Sequence, residues 1–499
     1  MQIRSLAKRS LAKRSASSLS SASYSSHDRC TPSSVNFCDA HTEIKWRDGR
    51  KSKFLNAWLR DHCHCSECYD KTTAQRSSDT LELGPSSNVR STQVTTINDN
   101  LDIRLEYNSN SHNCILPLSW LRKNCYSAIG QEERRTEIHH TRLAWDPTQL
   151  RQLCSINGDY IVEETNNDNT NTDSNTDNNN QLNHDPLQGL PVTPYNHLLT
   201  SPSILRHQLQ RYGIAFVSNV YVPSKDMVKQ CKRIVNDTVR DYLGFPRETL
   251  WGTLWDTAVT KDAPDTAYTN IALRPHVDCT YLRDPPELQI FLCAEESDDI
   301  NGGSSTFVDG FRVAEEMYTR SPAAFNFFSK TQLGFQCIQD GVHSVAYGKV
   351  FETDPGVLHP TPKDTIRFRY NNDDRSVMNF LNSQDVEEFY EHIPLLLELL
   401  RDDHFVLRTR LKKGTMAIVN NHRVLHGRDS FLGTGRNLVG CYAELSEGKF
   451  SFLKFIVITD NRLCCNSSNT ISYFFFRSVF LAVLPQAIVG PVPPPNNQL

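Results

Sequence analysis

The sequence has almost no excess of charge of either sign. Its 499 residues include 53 Lys and Arg against 57 Asp and Glu, which gives a formal net charge of -4. Proteins that bind nucleic acid or an acidic membrane surface usually carry a strong basic excess, so the composition gives no support to either function. With 38% hydrophobic residues, the chain is long and apolar enough for two or three globular domains.

The N-terminus lacks both the apolar stretch of a secretory signal and any acidic residue before Asp28. Residues 1–26 are instead rich in Lys, Arg and Ser, which is the composition of a mitochondrial transit peptide. We therefore predict that residues 1–34 direct import into the mitochondrial matrix and are not part of the fold. The alternative is a disordered basic tail on a cytoplasmic protein.

Because no secretory signal is present, the 15 cysteines are interpreted as thiols in a reducing compartment rather than as a disulfide framework. Three of them, Cys63, Cys65 and Cys68, lie close together in the sequence. Thiolates at this spacing can converge on one tetrahedral Zn²⁺, and a structural site requires a fourth ligand. His112, beside a turn-like segment, is the preferred fourth ligand; the alternatives are His62, His64, and a cluster of free thiols without metal.

Hydrophobic patterns divide the chain into two folded regions. Residues 35–147 contain short strand-like segments, which predict a small, mostly β domain. The Asn-rich segment 163–190 has too few apolar residues to form a core and is predicted to be a disordered linker. Strands dominate residues 191–447, and short strands around widely separated polar motifs favour a double-sheet jelly roll. The predicted fold class is therefore mainly β with helices (α+β).

Individual elements follow from the same patterns. The predicted strands include 37–46, 54–60, 101–107, 214–217, 287–292, 304–309, 366–370, 414–419 and 438–443. The predicted helices include 147–154, 201–212, 225–242, 313–318, 323–330 and 386–400.

The motif with the strongest chemical content is His276-Val277-Asp278. On an extended strand, side chains two residues apart point to the same face. An imidazole and a carboxylate in that arrangement are two of the three ligands of the 2-His-1-carboxylate triad of non-haem Fe(II) oxygenases. Residues 420–428 contain histidines for the third position. The alternative interpretation, a strand-end histidine and a surface aspartate, is favoured when the tripeptide is considered alone.

Taken together, these motifs resemble the 2-oxoglutarate-dependent oxygenases of carnitine biosynthesis. The similarity runs from Phe37 to Glu444 and includes a zinc-domain signature between Trp58 and Ser77. It implies a small zinc-binding N-terminal domain followed by a double-stranded β-helix. The zinc ligands implied by the resemblance are Cys63, Cys65, Cys68 and His112.

In the second region, the resemblance implies that His276, Asp278 and His426 bind Fe(II). It also implies that Arg436 binds the far carboxylate of the cosubstrate 2-oxoglutarate, a role that suits a guanidinium fork. Without the resemblance, Arg436 is interpreted as a surface arginine before a strand. The family further implies O2 as cosubstrate, ascorbate as the reductant that keeps iron in the Fe(II) state, and a homodimer.

Substrates of this family carry a quaternary ammonium, which cannot donate a hydrogen bond and is held best by aromatic faces. Trp251, Trp255 and Tyr268 match the positions of the aromatic cage, with a Trp at 251 where the family pattern has Tyr; each is otherwise interpreted as a core residue. Segments 265–269, 307–311 and 369–375 most resemble the family members that act on Nε-trimethyllysine, which implies hydroxylation of that substrate at its β-carbon.

Two alternatives stay open: γ-butyrobetaine hydroxylation, and a catalytically inactive module that binds a quaternary ammonium. The candidates for binding the amino-acid end of trimethyllysine are Asn371, Asn372 and Arg375.

Residues 448–499 depart from the family pattern. Residues 471–489 have about the length of a membrane span, but Arg477, Pro485 and Gln486 are costly in hydrocarbon, so no membrane association is expected. We interpret 448–499 as an atypical tail that arises from a mispredicted terminal exon. Sequencing of the transcript tests this hypothesis, and a spliced message that encodes the tail would contradict it.

Overall fold

The computed structural model describes ten stretches of the chain: 30–38, 40–77, 79, 89–97, 100–107, 112–159, 185–258, 266–339, 341–433 and 435–445. Most of the predicted transit peptide, residues 160–184 and the predicted tail lie outside the described residues. The prediction that residues 1–34 are not part of the fold is wrong at its end, because Pro32 to Ser34 begin a strand that pairs with Lys45 and Trp46. Residues 185–190, the end of the predicted linker, bury Leu187 and Leu190 in a core. Within the described ranges, no helix has the length and apolar character needed to cross a membrane.

The N-terminal region consists of small antiparallel sheets and short helices. Its strands are β1 (Pro32–Phe37), β2 (His41–Trp46), β3 (Lys51–Leu55), β4 (Tyr69–Asp70), β5 (Gln75–Arg76), β6 (Val89–Ile97), β7 (Asn100–Tyr107) and β8 (Asn113–Pro117). Its helices are α1 (Asn56–Asp61), α2 (Leu118–Lys123) and α3 (Ala128–Thr141). The sheets β1-β2-β3 and β6-β7-β8 surround a core that contains Trp46, Phe54 and Leu105.

The predicted strand at 54–60 is wrong beyond Leu55, because helix α1 begins at Asn56. The buried Asn56 side chain accepts a hydrogen bond from Thr42 Oγ1 (2.8 Å) and donates one to the Cys38 carbonyl (2.9 Å). These bonds tie the end of β3 to a side chain of β2 and to the backbone of Cys38, where the chain turns away from the sheet. Leu59 then enters the core from the helix.

Helix α4 (Pro147–Asn157) connects the N-terminal region to the second region. Asp146 caps its start by accepting from Gln149 N (2.9 Å), and Gly158 ends it in the left-handed conformation (φ 66°). Trp145 lies immediately before this helix, donates from Nε1 to the Tyr212 carbonyl (2.7 Å) and is fully buried. The core of the second region therefore starts at Trp145.

Two sheets dominate the second region. The strands are β9 (Val192–Pro194), β10 (Ile214–Ser218), β11 (Phe245–Arg247), β12 (Trp255–Asp256), β13 (Leu273–His276), β14 (Leu288–Glu296), β15 (Asn301–Gly302), β16 (Ser305–Asp309), β17 (Leu333–Gln339), β18 (Val342–Gly348), β19 (Phe351–Thr353), β20 (Thr365–Phe368), β21 (Val406–Thr409), β22 (Met416–Asn420), β23 (Val424–Arg428), β24 (Phe431–Leu432) and β25 (Arg436–Glu444). The larger sheet has the order β11-β25-β14-β22-β10-β9, with β12 also paired to β25, and the smaller has the order β13-β23-β16-β21.

Helices cover the outer faces of these sheets. They are α5 (Tyr195–Thr200), α6 (Ser203–Tyr212), α7 (Met227–Thr238) with a π-helical turn (Val239–Leu243), α8 (Gly310–Arg320), α9 (Pro322–Lys330) and α10 (Ser383–Arg401), with 3₁₀ turns at Thr266–Tyr268 and Pro362–Asp364. Between the sheets, Phe216 of β10 packs edge-on against Phe307 of β16 with ring centroids 5.8 Å apart. The result is a mixed α/β fold with two facing sheets.

A buried ion pair behind the smaller sheet binds the segment that precedes helix α4. Arg423 donates to both carboxylate oxygens of Asp309 (2.9 and 2.8 Å) and to the carbonyl oxygens of Leu143 and Arg211. Asp309 also accepts from the backbone N–H of Trp145 (3.0 Å). A buried charge pair of this kind is tolerated because every partner is hydrogen-bonded.

Candidate active site

The pairing of β13 with β23 brings together three residues that are far apart in the sequence. His276 lies directly opposite His426, and Asp278 follows two residues after His276. One potential ligand atom from each of the three lies within 4.8 Å of the others. His276 Nε2 is 3.1 Å from Asp278 Oδ1, and His426 Nε2 is 3.7 Å from Asp278 Oδ2. His422 lies elsewhere, with Nε2 2.8 Å from the Pro285 carbonyl oxygen.

The Asp278 carboxylate attracts positive charge to the space between the three side chains. His276 Nδ1 lies 2.7 Å from the Arg274 carbonyl, so Nδ1 donates there and Nε2 faces the carboxylate. Burial opposes a charge on His276, but the hydrogen bond and the negative charge of Asp278 outweigh it and raise its pKa to about 9. Burial lowers the pKa of His426 to about 3, so this imidazole is neutral. The donor set of two imidazoles and one carboxylate fits Fe(II).

Three further side chains hold Asp278 in place. Tyr442 donates from its hydroxyl to Asp278 Oδ2 (2.7 Å), and the Gln289 amide donates to the same oxygen. Asn421 accepts from the Asp278 backbone N–H (2.9 Å) and donates to its carbonyl (3.1 Å). These contacts fix the carboxylate with Oδ1 toward His276. None of the three residues was predicted from the sequence.

Arg436 begins β25 and lies in the same cavity as the His276–Asp278–His426 cluster, although only 5% of it is exposed. Its guanidinium carbon is 5.6 Å from the centre of the Phe431 ring. Burial lowers its pKa, but an arginine retains its charge at neutral pH. Among the described residues it forms no ion pair, so its charge is available to an anionic ligand such as a carboxylate.

All three residues of the predicted aromatic cage line this cavity. The rings of Trp251 and Tyr268 are 6.1 Å apart, and the mostly buried Trp255 lies 5.7 Å from the ring of Tyr442. Tyr442 therefore adds a fourth aromatic wall that was not predicted from the sequence. The sequence does contain a signal for Tyr442. Residues 436 and 442 are an even number of positions apart along β25, so their side chains point to the same face of the extended strand.

The polar residues that line the cavity differ from those predicted to bind the amino-acid end of the substrate. Asn371, Asp373 and Asp374 line the cavity. Asp374 accepts a hydrogen bond from Thr280 Oγ1 (2.6 Å). The other two candidates for the amino-acid end are not in the cavity wall: Asn372 accepts from the Tyr370 hydroxyl (3.2 Å), and Arg375 lies over the Phe389 ring.

The N-terminal region holds a second potential metal site, formed by Cys63, Cys65, Cys68 and His112. His112 Nε2 lies 3.4, 3.7 and 3.6 Å from the three sulfur atoms, in that order. In a tetrahedral zinc site with standard bond lengths, sulfur and nitrogen ligands are separated by about 3.6 Å. The donor set and its spacing therefore fit Zn²⁺.

Neighbouring groups favour a thiolate on Cys63, whereas burial and the hydrogen bond with Cys63 raise the pKa of Cys65 to about 11. A hydrogen bond from Cys114 lowers the pKa of Cys63 to about 4. Arg60 donates from Nη1 to Cys68 Sγ (3.0 Å). The two alternative histidines lie outside the cluster, since His62 stacks on Trp58 at 4.2 Å and His64 packs edge-on against Trp120.

Comparison with known proteins agrees with this architecture. The profile of the taurine catabolism dioxygenase TauD, TfdA family matches residues 188–442, and that of the γ-butyrobetaine hydroxylase-like N-terminal region matches residues 35–115. A mitochondrial trimethyllysine dioxygenase of Gallus gallus is 31% identical over 409 residues, which cover 81% of this chain and 83% of the relative. A γ-butyrobetaine dioxygenase of Pseudomonas sp. (strain AK-1) is 25% identical over 422 residues, covering 83% and 93% of the two chains.

Among solved structures, an asparagine oxygenase in complex with Fe(II), 3-hydroxyasparagine and succinate is 16% identical, with a TM-score of 0.40 over 52% of this chain and 81% of its own. The sequence matches are stronger, because one family profile spans just over half of the chain and one relative exceeds 30% identity over four fifths of it. The chain therefore belongs to the TauD, TfdA dioxygenase family, in the 2-oxoglutarate-dependent group that contains the trimethyllysine and γ-butyrobetaine dioxygenases.

Proposed function

We propose that the protein hydroxylates Nε-trimethyllysine to 3-hydroxy-Nε-trimethyllysine, the first step of carnitine biosynthesis, with Fe(II) and 2-oxoglutarate. The main support is that one cavity is lined by the His276–Asp278–His426 cluster, by Arg436 and by several aromatic side chains. A metal site, a carboxylate site and an aromatic cage in one cavity match the needs of this reaction. The higher identity to a trimethyllysine dioxygenase than to a γ-butyrobetaine dioxygenase favours the same substrate.

In this proposal, His276, Asp278 and His426 hold Fe(II). The bound iron supplies the coupled chemistry in which 2-oxoglutarate is oxidised by O2 to succinate and CO2 while a C–H bond of the substrate is hydroxylated. Arg436 binds the distal carboxylate of 2-oxoglutarate and so orients its keto-acid end toward the iron ligands. Gln289 and Tyr442 keep the Asp278 carboxylate turned toward the metal position.

The aromatic side chains hold the trimethylammonium group. Trp251, Trp255, Tyr268 and Tyr442 present ring faces or edges to the cavity, and a cation over such faces is attracted without any hydrogen bond. This grip lies at one end of the substrate, so it presents carbons further along the chain to the iron position. Positioning of this kind is the protein's main contribution to the rate.

Asp373 and Asp374 favour trimethyllysine over γ-butyrobetaine. Trimethyllysine carries an α-ammonium group in addition to its quaternary ammonium, whereas γ-butyrobetaine carries only the quaternary one. Two carboxylates in the cavity wall, one of them oriented by Thr280, suit a substrate with a second positive charge.

Several finer features belong to the same proposal. The two facing sheets form the double-stranded β-helix of the family, and the Cys63–Cys65–Cys68–His112 cluster binds structural zinc. Residues 35–147 form the zinc domain and 191–447 the oxygenase domain. The core of the oxygenase domain also includes Trp145, Leu187 and Leu190, so the linker predicted at 163–190 ends before Leu187. Ascorbate serves as reductant, and the protein forms a homodimer. Mitochondrial localisation, directed by the basic segment that precedes β1, is supported by the name of the Gallus gallus relative.

The first experiment measures succinate release by the Fe(II)-loaded protein with trimethyllysine, with γ-butyrobetaine, or with neither. Release that depends on trimethyllysine and is abolished by His276→Ala is the expected result. Faster succinate release with γ-butyrobetaine would mean that the enzyme hydroxylates that substrate by the same chemistry. Binding of either compound without succinate release would favour the inactive binding module.

A further inference from the structure

Arg428 is a buried arginine in the active-site cavity that has no role in the proposed reaction as described above. It ends β23, two residues after His426, so the two side chains leave the strand on the same face. Only 6% of Arg428 is exposed, and it lines the cavity together with His426 and Arg436. Burial and the neighbouring Arg436 lower its pKa to about 10, which still leaves it charged at neutral pH.

The guanidinium of Arg428 forms hydrogen bonds with one short segment of backbone. It donates to the carbonyl oxygens of Ala267 (3.3 Å), Thr269 (2.6 Å) and Ile271 (2.8 Å). These carbonyls flank Tyr268, a residue of the proposed cage. The backbone N–H of Phe431 adds a bond to the Asn270 carbonyl (3.1 Å). The segment that carries Tyr268 is thus tied to β23 and to the residues that follow it.

This connection has a geometric consequence. A substrate gripped by its trimethylammonium group presents to the iron whichever carbon lies at the distance between cage and metal. Tyr268, one wall of that cage, lies in the segment 266–271, whereas His426 lies in β23. Arg428 joins the two, so it bears directly on the distance between Tyr268 and the metal position.

We infer that Arg428 is a positioning residue that fixes Tyr268 relative to the iron ligands and so sets which substrate carbon is presented for hydroxylation. This inference rests on the proposed function, because it needs the trimethylammonium group in the cage. Arg428 acts through the backbone of residues 267–271 and not as a ligand of 2-oxoglutarate. Its two terminal nitrogens donate to peptide carbonyls, and only its buried Nε lacks a partner among the described residues, whereas Arg436 donates to no peptide carbonyl there.

The test is a double-mutant cycle with Arg428→Lys and Tyr268→Ala in the Fe(II)-loaded full chain. Each variant is assayed for the KM for trimethyllysine, the KM for the keto-acid cosubstrate, and the ratio of hydroxylated product to succinate. R428K is expected to raise the KM for trimethyllysine about tenfold, the effect of losing one charge-assisted hydrogen bond, and to lower the product ratio. The KM for the keto-acid cosubstrate is expected to stay within about twofold of wild type, a change too small for loss of a direct contact.

The cycle separates a positioning role from a general structural one. If Arg428 acts through Tyr268, the double variant is no worse than Y268A, because the energies of coupled residues do not add. Arg428→Gln is a second variant in case R428K does not fold, and Arg408→Lys on the exposed part of β21 is the matched control.

Three results would overturn the inference: additive effects, a raised KM for the keto-acid cosubstrate with an unchanged KM for trimethyllysine, or a lower Tm with unchanged kinetics. Failure of the proposed function is distinguishable from these results. In that case the wild-type protein itself shows no trimethyllysine-dependent succinate release.

Discussion

At the scale of single residues, the orientation of the Asp278 carboxylate is the feature most open to test. The Tyr442 hydroxyl is one of two donors to Oδ2. Tyr442→Phe removes this donor and keeps the aromatic ring. Because groups that orient a metal ligand typically change metal affinity by about 10- to 100-fold, we expect Fe(II) affinity to fall by roughly tenfold.

An iron titration of succinate release measures the affinity, with Tyr390→Phe on the exposed face of α10 as control. The KM for trimethyllysine is expected to change little, since the ring is retained. Unchanged iron affinity in Y442F would show that the hydroxyl is not needed to orient Asp278.

Asp374 tests the substrate assignment. Asp374→Asn keeps the shape of the side chain and removes its charge. If the carboxylate binds the α-ammonium of trimethyllysine, kcat/KM for that substrate should fall roughly 10- to 100-fold. The analogue that lacks the α-amino group, 6-(trimethylammonio)hexanoate, should be turned over equally by wild type and D374N.

Asp403→Asn, at an exposed site paired with Arg408, is the matched control. A parallel loss with both substrates would mean that Asp374 supports the cavity wall and does not recognise the ammonium group.

Much of the site at this scale could be predicted from the sequence, because the ligands belong to short motifs. The spacing of His276 and Asp278 and the presence of a downstream histidine are enough to predict a metal site, because these residue types are metal ligands. Asn421 and Gln289 could not be found in this way. They act on Asp278 from other strands and turns, and an amide side chain gives no chemical signal until its partner is known.

At the scale of elements, β25 shows how strand packing shapes the cage. A Cβ added to Gly440 would overlap the Ile290 carbonyl and lie 2.7 Å from Trp255 Cζ2. Glycine therefore leaves the space that the Trp255 indole occupies. We expect Gly440→Ala to destabilise the fold by about 1–3 kcal/mol through overpacking and to raise the KM for trimethyllysine.

Chemical denaturation and steady-state kinetics measure the two effects. Gly356→Ala is a suitable control, because its added Cβ would meet only the flexible Asp354 side chain, at 3.2 Å. A stable G440A variant with an unchanged KM would mean that Trp255 does not depend on this gap.

Most predicted strands and helices of the second region are confirmed, among them β14, β16, β22, β25, α7 and α10. Long apolar or strictly periodic segments carry a strong local signal. The hairpin of β17 and β18 was missed because its residues are partly exposed and do not alternate cleanly. The error at 54–60 has a different cause, since the buried contacts of Asn56 start a helix and are invisible in the local pattern.

At the scale of the whole molecule, the proposed zinc site lies far from the iron chemistry in sequence and within a separate core. Cys63 and Cys68 are buried in the N-terminal core with Leu59 and Tyr107. Because the binding free energy of a structural zinc, about 10 kcal/mol or more, contributes to folding, Cys68→Ser should lose zinc and unfold this region at lower temperature.

Metal analysis and a thermal scan check this prediction, with the exposed Cys38→Ser as control. Purified wild-type protein without stoichiometric zinc, or a C68S variant with unchanged zinc content, would contradict it.

The buried pair of Arg423 and Asp309 also bears on where the protein can be divided. The family profile of the oxygenase region begins at residue 188, yet Arg423 donates to the Leu143 carbonyl and Asp309 accepts from the Trp145 N–H, well before that point. A fragment cut at the profile boundary would leave two buried charges short of partners beside the strand of His426. The unit that sequence profiles delimit is thus shorter than the unit in which both charges keep all their hydrogen bonds.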